Sequence, residues 1–143
     1  MWRAVRRFLG RAEYDTAFVG VRGEAAAARH LKRRGLRVLD RNVRLRAGEL
    51  DIVCEPDDES MLILVEVKAR SVRPGYDQPF APPEEAVDQD KKEKLIELML
   101  ELRRRHRNLD RPTRIDVVGV DVFEPGTWRE RVRIRHYEGA VKV

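Results

Sequence analysis

Two short stretches of this chain put charge where a buried strand should be apolar. Met61-Leu-Ile-Leu-Val65 commits a strand to burial, and Glu66 and Lys68 then follow at its end. At a spacing of two along a strand, their side chains point to the same side of the sheet. Ionised groups are rarely buried without a partner or a metal. Upstream, Gly48-Glu-Leu-Asp51 repeats the pattern. Alternation there sets Glu49, Asp51 and Val53 on one face and Leu50, Ile52 and Cys54 on the other. If the two strands are hairpin neighbours, Asp51 and Glu66 converge beside Lys68. Two carboxylates aimed at one point make a hard-cation site, and Mg²⁺ commonly takes one or two carboxylates plus waters and a substrate phosphate. Such an ion polarises a phosphoryl oxygen and lowers the pKa of a bound water. A neighbouring ammonium can orient that water or stabilise charge growing on phosphorus. The chemistry expected of this constellation is metal-dependent phosphodiester hydrolysis. The competing explanation is a Glu–Lys pair at a strand end, satisfied by solvent.

Glu24 is a third candidate carboxylate, at the start of an Ala-rich helix where an acid also complements the helix dipole. Lys91 and Lys92, on a later helix, can reach phosphate or simply form a solvated face. Arg103-Arg-Arg-His-Arg107 is a basic run at that helix's C-terminal end, either a phosphate-binding patch or a complement to the dipole. His30, His106 and His136 have no metal-ligand spacing with one another or with Cys54. There is no Gly-x-Ser-x-Gly, P-loop or dinucleotide fingerprint. With 4 Phe, 2 Trp and 3 Tyr in the chain, stacking platforms are not expected to dominate any nucleic-acid binding.

These residues need a scaffold, and the hydrophobic pattern supplies one. Trp2, Val5, Phe8 and Leu9 have helical spacing and predict a short amphipathic helix or arm over about the first dozen residues. Thr16 to Arg34 is helical, with Val19, Ala26, Ala27, His30 and Leu31 on one face and Gly35 placed to stop it. Leu36–Leu45 reads as a charged strand, at an edge or half-exposed, Glu49–Glu55 as an alternating one, and Met61–Val67 as a central strand covered on both faces. Ser71–Pro83 holds Pro74, Pro79, Pro82 and Pro83 and reads as an exposed loop. A helix is expected from Pro83 to Arg107, with Val87, Leu95, Leu98 and Leu102 on its stripe. Strands follow at Arg114–Phe123 and Thr127–Tyr137. The order α-β-β-β-α-β-β predicts an α/β fold, a mixed sheet flanked by helices.

Composition narrows the class further. A chain of 143 residues suits one domain. Lys and Arg number 30 against 25 Asp and Glu, for a net charge of +5. Of these cations 24 are Arg and 6 Lys, and the planar guanidinium fork grips phosphate bidentately. An Arg-rich genome would give the same bias. A single cysteine, Cys54, excludes an intramolecular disulfide framework and any multi-cysteine metal site. No apolar run approaches the roughly 20 residues needed to span a bilayer, and the basic N-terminus lacks the apolar stretch of a secretory signal. A cytoplasmic protein without a membrane partner is expected.

Several motifs occur in register with a known family. Arg22-Gly-Glu-Ala-Ala-Ala-Ala-Arg-His-Leu-Lys-Arg-Arg-Gly35, Asn42, Gly48-Glu-Leu-Asp-Ile52, Leu64-Val-Glu-Val-Lys-Ala-Arg70, Val87, Lys91 and Arg114-Ile-Asp-Val-Val118 together resemble the YraN-like bacterial proteins. The resemblance spans about Tyr14 to Val122. Ile115 stands where an aromatic is usual, and the helix after Lys91 is richer in Glu and Leu than in Ala. That family is similar to the restriction-endonuclease-like, or PD-(D/E)xK, superfamily and within it to archaeal Holliday junction resolvases. The resemblance implies a restriction-endonuclease-like core and maps the superfamily's signature onto Asp51, Glu66 and Lys68, with Glu24 as the helix acid. On this reading the chain is a Mg²⁺- or Mn²⁺-dependent endonuclease acting on DNA, branched or otherwise structured. Asp51 and Glu66 hold the metal with Glu24 as third or outer ligand, and Lys68 positions the water. Arg70, Lys91, Arg103, Arg104 and Arg105 are the expected nucleic-acid contacts. A homodimer is expected as well, because a two-fold substrate needs two matched sites, with Trp2, Val5 and Phe8 available to cover the interface. The alternative is a non-catalytic nucleic-acid-binding adaptor with the same fold, and a third reading is a protein scaffold.

Overall fold

The computed structural model describes residues 11–72, 89–106 and 111–142. Helix α1 (Arg11–Arg33) leads into strands β1 (Leu36–Leu45), β2 (Gly48–Pro56) and β3 (Leu62–Val72). Helix α2 (Gln89–His106) and strands β4 (Thr113–Phe123) and β5 (Arg131–Val141) complete it. The five strands lie side by side in sequence order. Neighbours are antiparallel except β3 and β4, which run parallel. A parallel pair needs a crossover between its strands, and α2 lies in that connection. The expected element order and the α/β mixed sheet are therefore what the chain forms. Among the described residues, no helix is long and apolar enough to cross a membrane.

Both faces of the sheet are covered, which is why β3 and β4 are nearly continuous in apolar residues. On one face, Val19, Ala27, Ala28 and Leu31 of α1 pack against Ile52, Cys54, Ile63, Val65, Val118, Val120 and Val122. On the other, Leu95, Leu98, Met99 and Leu102 of α2 pack against Leu50, Val53, Leu62, Leu64, Ile115 and Val117. The central position expected for the Met61–Val67 strand and the edge position of Leu36–Leu45 both hold.

Four expectations change in detail. Helix α1 begins at Arg11, ahead of Thr16, so Glu24 lies well inside it, where no dipole complement acts, and not at its start. It ends as expected, with Gly35 in the left-handed region at φ 81°. Leu50 does not share a face with Ile52 and Cys54; it packs with Val53 on the α2 side. The alternation slips because β2 pairs with β3 only over Ile52–Cys54, and Asn42, across from this bend, takes φ 52°. Ser71 and Val72 belong to β3 rather than to a loop. The last strand starts at Arg131, not Thr127, because Thr127 is held in a turn by bonds from its N and Oγ1 to the carbonyl of Glu124. The expected N-terminal arm with Trp2, Val5 and Phe8, the rest of the Ser71–Pro83 segment, and Val87 lie outside the described residues.

One glycine sets how closely a helix meets the sheet. A Cβ on Gly23 would lie 2.3 Å from Cβ of Ala69 on β3. Gly23 therefore lets α1 touch the strand directly, and it carries the next residue, Glu24, toward the bend in β2.

Candidate active site

The site forms where β2 and β3 part. Their ladder ends at the Ile52–Val65 pair, which would leave the amide of Val67 without a backbone acceptor from β2. Asp51 fills that role, its Oδ2 accepting from Val67 N–H at 2.8 Å. The strands splay there, and a carboxylate replaces the backbone between them. Alternation along β3 places Glu66, Lys68 and Arg70 on the α2 side with Leu62 and Leu64.

Glu66 is 5% exposed and keeps two ammonium groups close. Lys91 Nζ, from the first turns of α2, lies 2.8 Å from its Oε1, and Lys68 Nζ lies 3.6 Å from the same oxygen. Asp51 sits against this cluster with its carboxyl pushed up to about 6. Burial is the main cause, followed by the negative charge of Glu66; the Val67 amide opposes the rise, and Glu24 adds to it. Three sequence-predicted acids thus act on one point. Asp51 meets the charge of Glu66 most strongly, and half-buried Glu24 contributes through its own.

The donor set fits a hard divalent ion. It is all oxygen and carries a carboxylate pair whose mutual repulsion such an ion would relieve, and a protein ammonium already serves Glu66 as its counter-cation. No group of three His, Cys, Asp or Glu side chains forms a ready cage among the described residues. The fit is therefore to an ion held by two carboxylates with water and phosphate completing its shell, Glu24 standing further out.

The other predicted residues divide. Lys91 belongs to the cluster itself. Arg70 donates from Nε to Asp121 Oδ1 at 2.6 Å, so part of its fork is already engaged beside the site. Arg103, Arg104 and Arg105 close α2 roughly 20 Å along the axis from Lys91, at 1.5 Å of rise per residue. The fold does not bring them to the carboxylates. Glu49 is exposed.

Sequence reasoning missed two buried acids on β4. Asp121, fully buried, receives Arg70 and, from across the β4–β5 pair, Arg133 at 2.7 Å. Asp116, also fully buried, accepts from Arg114 at 2.8 and 2.9 Å and from Gly139 N–H at 2.9 Å, with His136 Nε2 at 2.8 Å. Burial pushes the Asp116 carboxyl up, but His136, Arg114 and Gly139 outweigh it and hold it below the usual carboxylate range. His30 Nε2 then meets His136 Nδ1 at 3.2 Å. Burial first, and His136 and Arg34 after it, keep the His30 imidazole below its ordinary value. The signal for both acids was present: each interrupts an apolar strand, as Glu66 does.

A consequence for stability follows at Asp51. A carboxyl held above its unfolded value of 3.8 favours the folded state fully below that value and loses this contribution as pH rises through about 6. Asp51→Asn keeps an oxygen for the Val67 amide and removes the repulsion. Without divalent metal at pH 7.5, this variant is expected to be more stable than the parent by on the order of 1–2 kcal/mol, allowing for partial solvent screening. The gain should vanish below about pH 4. Urea unfolding in EDTA across that range measures it, and a less stable variant at pH 7.5 would contradict the assignment.

Comparison with known proteins places the chain among a set of bacterial relatives. The model of the Uncharacterised protein family UPF0102 matches residues 23–120, which takes in nearly every motif quoted above. A UPF0102 protein of Geobacter sulfurreducens is 34% identical over 135 residues, covering 94% of this chain and 97% of that protein. One from Symbiobacterium thermophilum is 38% identical over 114 residues, 80% of this chain and 91% of the relative. One from Syntrophomonas wolfei reaches 47% over 70 residues, 48% and 54% of the two chains.

Proposed function

Because the chain belongs to the UPF0102 family, and carries paired carboxylates and two lysines at a splayed strand junction, we propose that it is a metal-dependent nuclease. It hydrolyses phosphodiester bonds of DNA, with branched or otherwise structured DNA as substrate. The observation that carries this reading is the Asp51–Glu66–Lys68 cluster, with Asp51 pushed up to about 6 beside Glu66 and Lys68 3.6 Å from Glu66. Asp51 and Glu66 would hold Mg²⁺ or Mn²⁺, which when bound supplies Lewis acidity toward the scissile phosphate. Lys68 orients the attacking water and offsets charge developing on the phosphate oxygens. Lys91, paired with Glu66 at 2.8 Å, is positioned to meet a substrate phosphate. Glu24 raises the negative potential that draws the cation in. Val67 N–H fixes the Asp51 carboxylate, so little reorganisation is required when the cation arrives.

The resemblance to the restriction-endonuclease-like superfamily supports the same reading, and the mixed five-stranded sheet is compatible with it. So does the net charge of +5, which suits a polyanionic partner. The test is a cleavage panel of single-stranded, duplex, flap and four-way DNA with Mg²⁺, Mn²⁺ or EDTA at one salt concentration. Cleavage is expected with either ion and none with EDTA, with the structured substrates cut best. DNA binding without cleavage under every metal condition would overturn the enzyme in favour of an adaptor.

A further inference from the structure

The hairpin joining β4 to β5 presents an aromatic side chain to solvent on a stiff support. Trp128 is 88% exposed. The turn beneath it is cross-braced: Thr127 N and Oγ1 both donate to the Glu124 carbonyl, Arg129 N donates to Thr127 Oγ1, and Gly126 N donates to Glu130 Oε1. Glu130 also pairs with Arg22 of α1 at 3.7 Å, which ties the hairpin to the helix that carries Glu24. A floppy loop would lose entropy on stacking anything against Trp128; this one has little left to lose.

The company of Trp128 is cationic. The Arg129 guanidinium lies 4.8 Å from its ring centroid, and Arg131 and Arg133 lie over the Phe123 ring at 4.7 and 5.4 Å. Glu124 and Glu130 are the acids of this hairpin, and Glu130 is already engaged by Arg22. Register then connects the hairpin to the carboxylates. Across β3, β4 and β5, Val72, Phe123 and Arg131 form one row, Arg70, Asp121 and Arg133 the next, and Lys68, Gly119 and Arg135 the third. Alternation puts all three rows on the face that holds Glu66. The middle strand of the row nearest the site carries Gly119, between Lys68 and Arg135. An arginine track and a carboxylate cluster therefore share one side of the sheet, and the turn that carries Trp128 continues from the end of that track.

We propose that this hairpin is a second nucleic-acid contact, on which Trp128 stacks with an unpaired base while Arg129 and Arg131 take the adjoining phosphates. The substrate class is then DNA with a single-stranded arm beside the duplex to be cut. A base offers a π-face of any sequence to an aromatic ring, and its phosphates satisfy the arginines in the same step. A protein partner would have to bring acids for the arginines as well as an apolar pocket for the indole. The proposal rests on the nucleic-acid reading given above and narrows it.

The test compares Trp128→Ala, Trp128→Phe and the parent, all in a Trp2→Phe background, for binding of forked, single-stranded and blunt duplex DNA in EDTA at fixed salt. Trp128→Ala is expected to lose roughly 5- to 100-fold in affinity for forked and single-stranded DNA and less than about two-fold for blunt duplex, with Trp128→Phe retaining most of it. Tryptophan fluorescence of the Trp2→Phe protein should be quenched by the same two ligands. Since Trp128 is almost fully exposed, the variants fold, and circular dichroism confirms it. If Trp128→Ala binds all three DNAs like the parent, the hairpin proposal falls and the nuclease reading stands. If the parent binds none of them, the nucleic-acid reading itself falls and takes the hairpin with it. If Trp128→Ala instead converts an oligomer to monomer with unchanged DNA affinity, the tip is a self-interface and the proposal is overturned.

Discussion

Glu66→Gln is expected to reduce metal-dependent cleavage by roughly 10²- to 10⁴-fold while leaving DNA binding intact. The amide keeps the volume of a side chain that is 5% exposed but removes the charge that a hard cation requires. Calorimetric titration with Mn²⁺ should show the loss directly. Affinity for DNA in EDTA rests on arginines and lysines elsewhere, and Glu66→Gln should bind at least as tightly, because one negative charge near the phosphates has gone. Lys68→Ala separates the two roles: it should still bind Mn²⁺ and cut more slowly by about 10²- to 10³-fold. If both variants cleave like the parent, the activity belongs to another site or another protein, and the cluster at the splayed strands is not catalytic.

The largest expected effect on stability lies at Asp116. Its carboxylate is the common acceptor for Arg114, His136 and Gly139 N–H in a fully buried position. Asp116→Ala orphans these donors together, and removing one partner of a buried charged network costs on the order of 3–5 kcal/mol. The midpoint of urea denaturation should fall accordingly. Asp116→Asn, which retains an acceptor for Gly139, should lie between the two. The sign of the pH dependence is fixed by the direction of the shift. A carboxyl held below its unfolded value of 3.8 contributes stability that is complete above about pH 4 and lost as pH falls through its folded value. Asp116→Ala should therefore lack that part of the parent's acid limb. An unfolding free energy within about 1 kcal/mol of the parent at pH 7 would mean that water replaces the carboxylate and that the network is not structural.

The sheet was legible because its strands obey simple patterning. Met61–Val65 has no polar face to offer, so it had to be central, and the charged Leu36–Leu45 suited an edge or a half-exposed place, of which the sheet takes the edge. The pair Asp51 and Glu66 was legible for a complementary reason: both break a local pattern, and hairpin adjacency makes two such breaks converge. What failed was parity across a bend. Strict alternation puts Leu50 on the face of Ile52, but it does not hold through Asp51, where the ladder with β3 stops. Lys91 was named as a phosphate contact, but its pairing with Glu66 depends on how the crossover helix docks, which no local spacing encodes. Asp116 and Asp121 were overlooked although they carry the same anomaly as Glu66. Arg70 shows a related case: its bond to the buried Asp121 depends on β3–β4 pairing and could not be read from local spacing.

The sheet is open, with β1 and β5 at its two margins, and such margins are where β-proteins stick to one another. On β1, Arg37, Asp40, Arg41 and Arg44 are exposed; on β5, Arg131 and Glu138 are, with Arg133 and Arg135 half-buried between them. A second molecule approaching either margin to extend the sheet would have to stack guanidinium groups in neighbouring rows and strip their water. Natural sheets discourage aggregation in this way. The arginine excess that suits a polyanion thus has a second use: charge along both margins opposes the addition of a further strand.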